Sequence, residues 1–136
     1  MSYTPDTYSD YKGSVTATTT ADITLSGLGV QGGGDWSGAL TAGNRVLVKD
    51  QSTGSENGIY DASATAWVRS RDADQVFELT SGMMVTVEEG ATLNDTTWII
   101  DTNGAITIGV TAITFSQISG SADILDPAHR RSWFGV

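Results

Sequence analysis

Between Ile23 and Phe115 apolar and polar residues alternate in steps of two. Ile23 and Leu25 alternate with Asp22, Thr24 and Ser26. Val85 and Val87 alternate with Thr86 and Glu88, Ile106 and Ile108 with Thr107, and Ile113 and Phe115 with Thr114. Successive side chains of a strand point to opposite faces, so this pattern predicts half-buried β-strands. The wealth of β-branched residues agrees. About eight or nine short strands fit between the turn signals, which predicts an all-β fold, a small antiparallel sandwich or barrel. The single expected helix is short, Asp74 to Leu79, with Asp74 as its N-cap. Asn103-Gly104 predicts a two-residue hairpin turn, because both central positions of that turn need positive φ. Such a turn sets Ile99 opposite Ile108 and Asp101 opposite Ile106, with Trp98, Ile100 and Thr107 on the other face. Both faces then carry apolar residues, and each calls for cover from a second sheet or another subunit.

The pattern changes at both ends. Residues 1–12 hold Tyr3, Tyr8, Tyr11 and Pro5 among small polar residues and read as an extended N-terminal arm. Residues 13–119 form the β-domain. Residues 120–136 follow a Ser119-Gly120-Ser121 hinge and read as a C-terminal docking tail. Ile124 and Leu125 supply an apolar pair and Asp126-Pro127 a rigid turn. Arg130, Arg131, Trp133 and Phe134 combine charge with aromatic surface, the residue types enriched at binding hot spots. That end is expected to be buried against a partner, another subunit or the same domain.

Composition narrows the function. A chain of 136 residues with net charge -9 is one domain by size and lacks the basic face that nucleic acids and anionic membranes require. The absence of cysteine removes disulfides, thiolate metal sites and thiol nucleophiles. The N-terminus has no basic, apolar leader pattern, and no apolar run approaches the ~20 residues of a membrane span.

Candidate chemistry is thin. Gly27-Leu28-Gly29-Val30-Gln31-Gly32 matches the spacing of a dinucleotide loop, but Gly33-Gly34-Asp35-Trp36-Ser37-Gly38 stands where a helix would have to start, so it reads as a loop tolerant of positive φ. Asp72 and Asp74, with Asp50, Glu56, Glu88, Glu89 or Asp95, offer oxygen ligands, yet a D-x-D pair supplies few of the 6–8 that calcium takes. They read as solvated carboxylates and a cap. Glu88 and Glu89 are neighbours on a strand and point apart, so they do not clasp one bond. The sole histidine, His129, lies in the tail, and no G-x-S-x-G elbow exists. We therefore expect no catalytic residue, no cofactor, no metal and no enzymatic activity. Trp67 and Trp98 read as core or interface residues. Trp36, on the glycine-rich loop, and Tyr60 are the candidate glycan contacts.

An ordered series of phrases adds a resemblance. Gly43 to Gly58 reads GNRVLVKDQSTGSENG and is followed by Ile59-Tyr60. Then come Ala66-Trp67-Val68-Arg69, Arg71-Asp72-Ala73-Asp74, Ser81-Gly82-Met83-Met84-Val85-Thr86-Val87-Glu88-Glu89-Gly90, Asp95-Thr96-Thr97-Trp98 and Ile113-Thr114-Phe115-Ser116-Gln117. From about Lys12 to Ser119 the chain resembles a β-rich module of tail-fibre and head-fibre (spike) proteins of tailed bacteriophages, prophages and gene transfer agents. The resemblance implies a structural protein of the virion surface, made in the bacterial host cytoplasm. Its implied partners are other virion proteins, at a capsid vertex, in a tail or in a longer fibre protein. It also implies a symmetric homo-oligomer, a trimer for a fibre or a pentamer for a vertex. In the resembled fibres the module is one segment of a longer protein, whereas here it nearly fills the chain, which favours an adaptor or base. The alternative is a carbohydrate-binding module that contacts host surface polysaccharide.

Overall fold

The computed structural model describes residues 10–119, and in them the chain is strand and loop with almost no helix. Seven short strands form two sheets among the described residues. The first sheet has the order β1-β2-β3-β4, from Ala17–Thr18 (β1), Arg45–Val48 (β2), Gly58–Asp61 (β3) and Val68–Arg69 (β4). The second has the order β5-β6-β7, from Met84–Thr86 (β5), Thr97–Ile100 (β6) and Phe115–Ser119 (β7). Every strand pair is antiparallel except β1 and β2, which run parallel with Ala17 beside Val46.

Residues 10–19 join the two sheets. This segment first runs parallel to β5, with bridges from Tyr11 to Met84 and from Val15 to Val87. The Val15 amide donates to the Thr86 carbonyl at 2.9 Å. One residue later the Thr16 amide donates to the Arg45 carbonyl at 2.8 Å, and the chain continues as β1 beside β2. Arg45 fixes the crossing. Its guanidinium donates to the Gly13 and Ser14 carbonyls and grips Asp72 with two bonds of 2.9 and 3.0 Å, the bidentate geometry that suits arginine.

Alternation along β2 and β3 buries both faces of the first sheet. Leu47 and Ile59 point into one core with Val85, Val87 and Ile100 of the second sheet, joined by Val15, Leu79, Met83, Ile106 and Ile113. Val46, Val48 and Tyr60 point the other way, into a second core with Ile23, Trp36, Leu40 and Trp67. The cover on that outer face is the long stretch 20–44, which forms no strand.

That stretch corrects the expectation of a strand at Ile23–Leu25. Its alternation is a burial pattern, held by side chains at Ile23 and Thr24 and by a single antiparallel bridge of Ser26 to Ala66, where the Trp67 amide donates to the Leu25 carbonyl at 3.0 Å. The Gln51 side-chain amide accepts from the Ile23 amide (2.9 Å) and donates to its carbonyl (3.1 Å). The Gln31 amide does the same at Thr24, at 2.7 and 2.9 Å. A primary amide presents one acceptor and one donor side by side, as a peptide group does, so Gln51 and Gln31 stand in for a strand neighbour at Ile23 and Thr24.

Two further expectations are corrected. Asn103-Gly104 is not the turn of a two-residue hairpin. Strand β6 pairs with β7, with Ile99 opposite Ser116 and Ile100 opposite Phe115, and residues 101–114 form a long connection. Gly104 does have φ 86°, but the chain beyond it drops Ile106 and Ile113 into the shared core instead of turning straight back. The expected helix at Asp74–Leu79 is absent. A 3-10 helix covers Arg71–Ala73, and Asp74 ends it rather than starting one. Phe77 then takes φ 73°, which a helix does not admit. The Glu78 carboxylate turns back to accept from the Asp74 and Gln75 amides at 3.0 and 2.9 Å, satisfying the groups that a helix would have left open.

Side chains stitch the remaining joins. The buried Asn57 accepts from the Gln51 amide (3.0 Å) and donates to the Ile113 carbonyl (2.8 Å). Lys49 lies 4.2 Å over the Trp98 ring and pairs with Asp50 at 2.9 Å, which ties the end of β2 to β6. Asp101 accepts from the Ser116 and Thr114 hydroxyls, anchoring the long connection to β7. Those bonds, Ser116 foremost, hold its carboxyl below the usual value.

Replacing Gln51 by Leu keeps the bulk but strands both polar groups of Ile23. We expect a loss of about 1–3 kcal/mol in urea denaturation, and an unchanged midpoint would show that the amide is not holding the segment. Asp101 makes a pH prediction. Its folded pKa is depressed, so its stabilisation is fully present above the unfolded value of about 3.9 and is lost as pH falls through the lower folded value. The stability gap between wild type and Asp101→Asn should therefore be constant near neutrality and close in acid. A gap independent of pH would refute it.

Candidate functional site

The crossing of residues 10–19 leaves a cleft of about 700 Å³ beside it. Thr16 and Ala17 form its floor where the segment changes sheets. Trp36 to Thr41 and Asn44 form one side, and Glu88, Glu89 and Gly90 the other. Each wall has a local cause. The Glu88 and Glu89 amides donate to the Val15 and Thr16 carbonyls at 2.8 and 2.9 Å, which carries the end of β5 along the crossing segment. Asn44 accepts from the Thr41 amide at 2.8 Å and closes the turn before β2.

Asp35 locks the two sides together. Its carboxylate is buried and accepts from the Thr92 amide, the Thr92 hydroxyl (2.8 Å) and the Leu93 amide (2.8 Å). Its backbone carbonyl also accepts from the Ala91 amide at 3.1 Å. Gly90 sits at φ 145°, and a Cβ there would lie 2.7 Å from the Asp35 carboxylate, so only glycine lets this loop close. Sequence reasoning passed over Asp35. The available signal was a lone carboxylate inside a run of glycines, next to a tryptophan.

The electrostatics of the cleft are one-sided. Glu88 and Glu89 are both exposed, and no lysine or arginine lines the walls. The Ser14 hydroxyl donates to the Glu88 carboxylate. The lining contains hydroxyls, and its only titratable side chains are those of Glu88 and Glu89. The arrangement is suited to holding a cationic or hydrogen-bonding group.

The glycan candidates lie together in the outer core, each only 6 % exposed. Trp36 reaches the cleft wall. Its indole donates to the Gly29 carbonyl at 3.2 Å, and its ring packs against Trp67 with centroids 6.4 Å apart. Tyr60 does not line the cleft. Its hydroxyl donates to the Glu56 carbonyl at 2.6 Å, Arg69 lies over its ring, and burial pushes its pKa up. Both rings thus serve the packing of the covered face. The docking residues Ile124, Leu125, Arg130, Arg131, Trp133 and Phe134 lie outside the described residues, as does His129.

The remaining candidates are dispersed. No helix follows the Gly27–Gly32 loop, whose Gly27 and Gly29 carbonyls accept from the Trp67 and Trp36 indoles. Asp72 is taken by Arg45, and Asp50 by Lys49 and the Thr19 hydroxyl. Asp74 stands beside Glu78, and its pKa is raised by desolvation first and by that neighbour second. Among the described residues no three carboxylate, histidine or cysteine side chains gather as a metal would need.

Comparison with known protein families, curated proteins and solved structures found no match to this chain.

Asp35→Asn should test the lock. An amide nitrogen cannot accept, so at least one of the three donors loses its partner in a buried site. We expect a loss of about 1–3 kcal/mol, with faster amide exchange confined to residues 90–93. Unchanged exchange there would show that the loop is held by other means.

Proposed function

We propose that this chain is a structural protein of the surface of a phage or phage-like particle, an adaptor or base for a head spike or tail fibre. One observation carries the reading beyond the resemblance. Residues 10–16, β5 and β7 all run in the same direction through the second sheet. The chain enters beside Met84 at one end of that sheet and leaves at Ser119, opposite Thr97, at the other. A domain threaded in this way has its two attachment points on opposite ends, which suits a part that grips one protein on each side.

Two further features support it. The second sheet ends on β7, five residues without a charge or a proline, with Ile118 about half exposed. The first sheet ends on β4 with Val68 exposed. Such edges are suited to pairing between copies, and a symmetric trimer or pentamer would cover them. The docking tail, residues 120–136, would grip a capsid vertex, a tail or a longer fibre protein.

Deleting residues 121–136 should leave the β-domain folded, with an unchanged far-UV spectrum, and abolish incorporation into particles or recruitment of the fibre partner. Normal incorporation of the truncated protein would sink the docking role.

A further inference from the structure

The chain has seven lysines and arginines, and most of those in the described domain are already committed. Lys12 is buried. Arg45 holds Asp72 and the crossing segment, and Lys49 holds Asp50 and Trp98. Arg69 donates to the Asn57 and Ser55 carbonyls, and Arg71 stands beside Asp74. Besides the exposed Arg71, which does not line the cleft, Arg130 and Arg131 remain. On the acidic side, the Glu89 carboxylate has no hydrogen bond or ion pair among the described residues, and it faces a cleft with no cation of its own.

We propose that this cleft is the seat of the chain's own basic C-terminal segment, with Arg130 and Arg131 against Glu88 and Glu89. The path is short. Strand β7 ends at Ser119 opposite Thr97, and Thr97 lies opposite Thr86, just before Glu88. Two strand spacings separate β7 from β5, about 10 Å. The ten residues between Ser119 and Arg130 span up to roughly 33 Å when extended, so the arginines reach the cleft without strain. The lining is mostly polar, with Ala17, Trp36 and Leu40 nearly buried behind it, so the carboxylates of Glu88 and Glu89, both exposed, are what faces the guanidinium groups, and the pairing is open to screening by salt. A tether this short holds the segment at an effective concentration on the order of millimolar, which favours the chain's own tail over that of another copy. The inference does not depend on the particle role. It describes the chain before any partner competes for the tail.

Hydrogen exchange on the full-length protein tests it. Amides of residues 129–134 should exchange at least about tenfold slower than in an unstructured peptide. Glu89→Lys, or salt raised to about 0.5 M, should remove that protection while β5, β6 and β7 stay protected. Glu88→Lys with Glu89→Lys should abolish it, and adding Arg130→Glu with Arg131→Glu should restore it. If the doubly substituted chain misfolds because Glu88 also accepts from Ser14, the single Glu89 variant and the salt titration decide. A tail that exchanges freely in the wild type overturns the proposal, as does protection indifferent to both Glu89→Lys and salt. Protection that grows with protein concentration assigns the tail to a neighbouring copy and overturns the intramolecular seat.

Discussion

Residues 10–19 hydrogen-bond to β5 and then to β2, and the packing of the domain depends on where that switch falls. Val15 is the last residue held by the second sheet and sits fully buried in the core that both sheets share. Ala17, two residues on, belongs to the opposite core. Because side chains alternate along a strand, sliding the crossing by one residue would turn both of them to the wrong side. Arg45 opposes such a slip. It reads the Gly13 and Ser14 carbonyls and is itself held by Asp72, so the register is set by charge-assisted bonds as well as by shape.

The outer face of the first sheet has an unusual cover. In place of a sheet or helix, residues 20–44 lie across it, and each polar group of that stretch needs its own answer. Gln51 and Gln31 answer for Ile23 and Thr24. The Gly27 and Gly29 carbonyls receive the two indole N–H groups, so Trp67 and Trp36 bury their rings without leaving a donor unpaired. Asp35 continues the same logic into the loop after β5. The cleft is a by-product of this cover, since it lies where the stretch 36–41 meets the crossing segment and the end of β5.

The fold class was legible in the sequence because period-two alternation reports burial, and most of the alternating positions are indeed buried. The partners of those positions were not legible. Ile23 alternates as a strand does, yet its backbone partner is the side chain of Gln51, 28 residues along the chain. Gly104 has the positive φ expected of it, but hairpin closure is a competition, and burying Ile106 and Ile113 won. At Asp74 the local cap signal lost to Glu78, a buried carboxylate only four residues away. The site was legible in part. Trp36 was singled out as a candidate glycan contact and does line the cleft, though it is nearly covered. Glu88 and Glu89 were weighed as a pair across one bond and as calcium ligands, not as walls of a cleft, because that cleft is made by segments that sequence does not bring together. Asp35 carried no recognisable spacing, since its donors are backbone groups that any sequence provides.

The parallel pairing of the first segment also bears on how the protein is made. Tyr11 bonds to Thr86, 75 residues along the chain. On a ribosome the first strand emerges early and has neither β2 nor β5 to pair with. Contacts of such long sequence separation form slowly, since chain closure comes before any reward. The β2–β3 hairpin can form while synthesis continues, but the segment that unites the sheets must wait for β5. Until then the apolar side of β2 that faces the shared core has no second sheet over it, and the growing chain is at its most exposed to other unfinished copies.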